Sequence, residues 1–146
     1  MGGVAVSDAV AFISAQLDHD EQVAPGASPG PWVVLPREEW ETEDGYVVEA
    51  SPNATGYRHK VAAPGYNGGG VWEAADATHI ALHDPDRVLL QVAAYRRILA
   101  RFAAGREFAE QTYSAIPALG FYRHLFADLA SIYSDRPGFD PAWTVE

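Results

Sequence analysis

A chain of 146 residues with 48% hydrophobic and 12% aromatic content is the size of one domain and carries enough apolar material for a core. It holds no cysteine, which excludes a disulfide framework, thiolate zinc sites and thiol nucleophiles. Its net charge of −10 disfavours direct binding to a phosphate backbone. The first half is the acidic one: residues 1–50 set ten carboxylates against Arg37 alone. Such a surface supplies solubility by self-repulsion, or a docking face for a basic partner.

The N-terminal residues Met1–Asp8 lack the basic and apolar segments of a signal peptide. No apolar run approaches the roughly 20 residues that span a bilayer. A cytoplasmic protein with no membrane association is expected. The first helix is predicted over residues 8–24, with Val10, Ile13, Leu17 and Ala24 on one face and Phe12 beside it. Ser7 is the expected N-cap, and Pro25-Gly26 ends the helix.

Ala27-Ser28-Pro29-Gly30-Pro31 is a rigid lead-in to a strand at Trp32–Leu35. Glu43-Asp44-Gly45 signals a turn before a strand at Tyr46–Ala50. Further short strands are expected at Tyr57–Val61 and Val71-Trp72, separated by the flexible Pro64–Gly70 loop. The second half reads as helical. A short helix over Ala75–His83 stops at Asp84-Pro85, where Asp serves as N-cap and Pro as the first residue of the next helix. That helix runs to about Phe102, with Val88, Val92, Tyr95 and Leu99 on one face and Arg96, Arg97 and Arg101 complementing its C-terminal dipole. Gly105 allows a turn, and another helix starts near Arg106, with Pro117 and Gly120 as breaks. Leu119, Tyr122, Leu125, Phe126, Leu129 and Tyr133 form an apolar stripe, and the aromatic tail packs Phe139 and Trp143 back onto the body. The expected architecture is therefore a single α+β domain over residues 1–146. A small antiparallel sheet of three or four short strands, within about residues 32–72, packs against the N-terminal helix and a helical C-terminal half.

Few residues carry chemistry. His79 and His83 stand four apart on the short helix, a spacing at which neutral imidazoles chelate a divalent transition metal, and Asp84 is the nearest third ligand. The metalloprotease pattern fails, because Ile80 stands where a glutamate belongs. The alternative is architectural: two polar residues near a helix end and a capping aspartate. In Asp18-His19-Asp20-Glu21, successive side chains point in different directions and cannot converge on one substrate atom. Gly68-Gly69-Gly70 lacks the Lys-Ser/Thr ending of a phosphate loop. No serine has a nucleophile-elbow context, and no cofactor is predicted beyond the metal alternative. Strand aromatics read as core; Trp40 and Tyr66, in loops, are candidates for a partner surface, and Trp143 joins them as a residue of the aromatic tail.

Three segments, in order, resemble a known family. They are Ala27–Trp32 after an acidic helix, the joint Ala77-Thr78-His79-Ile80-Ala81-Leu82-His83-Asp84-Pro85-Asp86-Arg87-Val88-Leu89, and the ending Leu129–Trp143. Together they are similar to small proteins of unknown function from actinobacteria and their phages, and the first two look like the pattern of Ead-like phage accessory proteins. Members carry a cysteine-containing insertion before the final helix and Asp-His-Pro near the end; this chain has Arg106–Ala118 without cysteine, and Asp135-Arg136-Pro137. The resemblance implies a bacterial host cytosol and a mobile-element setting, and no catalytic residue. The expected function is that of a non-enzymatic binding protein engaging a host protein or small ligand. The alternatives are a small metal-dependent hydrolase using His79, His83 and Asp84, and an oligomeric structural protein.

Overall fold

Proline and glycine punctuate the chain into the elements of a computed structural model, which describes residues 6–35, 45–64, 70–111 and 117–143. Helix α1 (Val6–Val23) gives way to a 3-10 turn at Ala24–Gly26, because Pro25 cannot donate to the α ladder. Three short strands follow, β1 (Val33–Val34), β2 (Val48–Glu49) and β3 (Lys60–Ala62), and then helices α2 (Ala74–Leu82), α3 (Pro85–Gln111) and α4 (Pro117–Ser131). A final 3-10 turn spans Pro141–Trp143. The α+β class is the one expected. Among the described residues, no helix is long and apolar enough to cross a membrane.

The chain divides into two compact units, residues 1–19 with 92–146 and residues 20–91. In the second unit the strands form an antiparallel sheet in the order β1-β2-β3. Val33 faces Glu49 and Val34 faces Val48; on the other side Val48 faces Ala62 and Glu49 faces Lys60, with an irregularity between Val48 and Glu49. Period-two alternation puts Val48 inside and leaves Val33 outside. Helix α2 lies on the inner face of β1 and β2. Its Ala77 is fully buried beside Val48 and Val71, and Trp32, Val34, Tyr46, Val61, Ala62, Ile80 and Ala81 pack around them. The small Ala77 side chain lets the helix approach the sheet closely.

Several boundaries differ from expectation. Ser7 lies inside α1 rather than capping it. Val71-Trp72 makes no strand; a hydrogen bond from Tyr46 N–H to the Val71 carbonyl at 2.8 Å joins it to the residues leading into β2. Trp72 and Tyr57, read as core, are exposed. Helix α3 runs through Gly105 to Gln111, so Arg96, Arg97 and Arg101 sit mid-helix and do not answer its C-terminal dipole. Glycine in a helix interior costs only about 1 kcal/mol relative to alanine, less than the neighbouring Phe102 gains by burial. Pro117 opens α4 rather than breaking it, and Gly120 is accommodated within.

The first unit is held by aromatic packing. Phe102 and Phe126 are buried with ring centroids 4.5 Å apart at 64°, and Tyr122 stands 5.0 Å from Phe102. Such edge contacts add about 0.5–1.5 kcal/mol beyond area burial. On α1, Ala9, Ile13 and Leu17 are buried at the i, i+4, i+8 spacing. Phe12 receives the tail: Trp143 at 5.0 Å, Phe139 at 6.0 Å and Tyr133 at 6.5 Å. Arg136 lies 4.9 Å over the Tyr133 ring and donates to Gln16 at 3.2 Å, while Arg96 pairs with Asp18 at 2.7 Å.

Gly45 shows why one turn tolerates no other residue. Its φ is +87°, and a Cβ there would stand 2.5 Å from Pro64 Cγ and 2.7 Å from the Val71 carbonyl oxygen. Gly56 has a similar φ of +81° with open space around it. Gly56→Ala therefore meets only the left-handed penalty of about 1–2 kcal/mol. Gly45→Ala adds a backbone clash and is expected to cost at least ~1 kcal/mol more than Gly56→Ala in urea unfolding. Equal costs at the two sites would refute the close approach at Gly45.

Candidate functional site

The joint between α2 and α3 gathers most of the sequence's candidate residues. Asp84 leaves the α2 path after His83 and is buried, at 8% exposure, although it is a carboxylate. Burying a charge without partners is costly, so its contacts decide its role. Oδ1 accepts the Arg87 N–H at 2.8 Å, which is the N-cap bond to the third residue of α3. Oδ2 accepts the Trp32 N–H at 3.2 Å, across 52 residues of sequence. Pro85 fills the first helical position, where a missing N–H costs nothing, and Asp86 adds a carboxylate to the first turn.

The lead-in meets this cap through its own backbone. Trp32 Nε1 donates to the Ser28 carbonyl at 2.9 Å, Ser51 N–H donates to the Pro29 carbonyl at 3.0 Å and Ser51 Oγ to the Pro31 carbonyl at 3.1 Å. The sequence marked Asp84-Pro85 as a helix start and Ala27–Pro31 as a rigid turn. The hydrogen bond that ties them together lies beyond any local pattern.

His79 and His83 face outward, both exposed, with ring centroids 4.3 Å apart and planes tilted by 40°. His83 is the C-cap of α2, with φ −110° and ψ 36°. Its Nδ1 lies 2.8 Å from the His79 carbonyl, one of the terminal carbonyls that a helix cannot satisfy internally. Nδ1 must carry the proton for this bond to form, which leaves Nε2 as the nitrogen with a free lone pair.

Asp84 does not join them as a ligand group: among the described residues, no three His, Cys, Asp or Glu side chains gather where they could hold a metal. Both Asp84 oxygens are engaged by backbone N–H groups. Trp143 is buried at 7% exposure against Phe12, in the other unit. Trp40 and Tyr66 lie outside the described residues. His59 stands edge-on to Tyr57 at 4.8 Å, and His124 is exposed on α4.

Leu82 and Trp72 are exposed residues that the sequence did not mark as surface. Leu82 is 59% exposed and Trp72 is 41% exposed. On α2 the exposed Ala75, His79 and Leu82 follow the i, i+4, i+7 spacing of one helix face, opposite the buried Ala77. That spacing was the available signal for Leu82. Trp72 gave none, because an aromatic beside a valine also fits a strand. A shallow depression on the first turns of α3 is lined by Asp86, Leu89 and the exposed Leu90.

A family model covers nearly the whole chain, matching residues 6–145 to DUF6221, a family of unknown function. The chain belongs to that family. No curated protein and no solved structure matches it. Membership in DUF6221, a family of unknown function, assigns no residue roles.

The double use of the Asp84 carboxylate sets a stability expectation. Asp84→Ala removes a cap worth about 1–2 kcal/mol and leaves the Trp32 N–H without its acceptor, for a combined loss of ~2–3 kcal/mol. Asp84→Asn retains one acceptor oxygen and should lose about half as much. Urea midpoints at unchanged slope measure both, and an Asp84→Ala loss below ~0.5 kcal/mol would show that the carboxylate does not hold the joint.

Proposed function

We propose that this protein is a non-enzymatic binding module that engages a protein partner through the outer face of α2. The observation carrying this reading is that face itself: Ala75, His79 and Leu82 stand exposed on one side of the helix, opposite the buried Ala77, with the exposed His83 ring 4.3 Å from that of His79. Exposed apolar and aromatic side chains grouped together are the usual anchors of protein interfaces. Exposed Trp72, just before α2, supplies a second aromatic anchor within the same unit. The catalytic alternative has weaker support, since the carboxylate it needs is engaged in capping α3 and holding Trp32.

The setting we propose is a bacterial cytosol, in an actinobacterium or its phage, with the partner a host protein. Support for it is the likeness of the Ala27–Trp32 and Ala77–Leu89 segments to Ead-like phage accessory proteins. A small-ligand site, or self-association into a structural oligomer, would use other surfaces.

The test compares capture by the full chain with capture by two charge variants. Leu82→Glu places a carboxylate on the proposed face; Ile132→Glu does the same at an exposed position on the other unit. From an actinobacterial lysate, the unmodified chain and Ile132→Glu are expected to retain the same partner, and Leu82→Glu to lose at least ~90% of it. Capture that is absent, or equally reduced by both variants, would refute the assignment of the face. Light scattering on the purified chain separates self-association from a foreign partner.

A further inference from the structure

We infer that His79 and His83 form a two-imidazole chelate for a borderline transition cation, of the Cu²⁺, Ni²⁺ or Zn²⁺ class, on the last turn of α2. The inference does not depend on the partner proposed above. Three observations carry it. The residues are one helical turn apart and their rings already lie 4.3 Å centroid to centroid, so little side-chain ordering remains to be done on binding. Both rings are exposed, so a hydrated ion reaches them from solvent.

The third observation is the His83 hydrogen bond. Metal-ligating histidines almost always donate the second ring N–H to a carbonyl or carboxylate, which fixes the tautomer and orients the ring. His83 Nδ1 makes that bond to the His79 carbonyl at 2.8 Å, so Nε2 is the nitrogen presented outward. The carbonyl belongs to the residue that carries the other imidazole. The prospective ligands are thus linked through the backbone of the same turn.

The donor set defines the cation. Two neutral nitrogens favour Cu²⁺, Ni²⁺ and Zn²⁺, with Cu²⁺ tightest, over Mg²⁺ and Ca²⁺, which require oxygen donors. With no third ligating side chain among the described residues, the other coordination positions fall to water or to a donor group brought by another molecule. The site is accordingly a binding site of moderate affinity, not a closed structural one.

The experiment uses the full chain without an affinity tag, titrated separately with Cu²⁺, Ni²⁺, Zn²⁺ and Mg²⁺ by calorimetry. One Cu²⁺ per chain is expected, with Ni²⁺ and Zn²⁺ weaker and Mg²⁺ silent. His79→Gln should weaken Cu²⁺ binding by at least about tenfold, and His79→Gln/His83→Gln should abolish it. His59→Gln and His124→Gln should leave it unchanged. Because His79 is exposed and makes no cap of its own, its variant is expected to fold, and thermal unfolding without metal confirms that. Electron paramagnetic resonance of the Cu²⁺ form should show coupling to two imidazole nitrogens. Absence of binding, binding indifferent to the double substitution, or a single-nitrogen spectrum would overturn the chelate. Loss of partner capture in Leu82→Glu leaves the titration unaffected, so the two proposals fail separately.

Discussion

One carboxylate decides how the second unit is put together. Asp84 sits where α2 has ended and α3 has not begun, and its two oxygens accept two backbone donors, one three residues away and one 52 residues away in sequence. One of these starts a helix. The other fixes the entry into β1, the strand on which α2 lies. A buried carboxylate without partners is costly, but here each oxygen accepts a backbone N–H. The sheet, the helix above it and the next helix therefore share one fixed point.

The histidines before that point follow from the same termination. A helix that stops at Leu82 leaves carbonyls without donors, and His83 answers one of them with its ring. The ring is thus held by the helix end itself. The two sides of the joint are distinct: Asp84 bonds inward to backbone groups, while the His79 and His83 rings stand exposed to solvent.

Local rules made much of the fold readable. Pro25-Gly26 ended α1, Asp84-Pro85 started α3, and the aromatic and β-branched runs at Trp32–Leu35 and Tyr46–Ala50 marked strands. The failures have physical reasons. Gly105 is a weak helix breaker, and packing around Phe102 overrode it. Val71-Trp72 has strand-forming residues, but its hydrogen bond to Tyr46 does not extend into a ladder. The site was half legible. Helical spacing put His79 and His83 on one face and identified Asp84 as a cap, yet the exposure of Trp72 and the bond from Trp32 to Asp84 depend on contacts far apart in sequence.

The aromatic tail has a different kind of consequence. Trp143 lies buried against Phe12 and Phe139, Trp32 is tied to the Ser28 carbonyl, and Trp72 faces solvent. An indole enclosed by phenyl rings emits at shorter wavelength than one in water, and nearby solvent quenchers do not reach it. Trp143 is thus an optical gauge once Trp32, Trp40 and Trp72 are replaced by phenylalanine: quencher-resistant emission then reports on the seating of the tail. The docking of the C-terminal turn is readable by light alone, with no label attached.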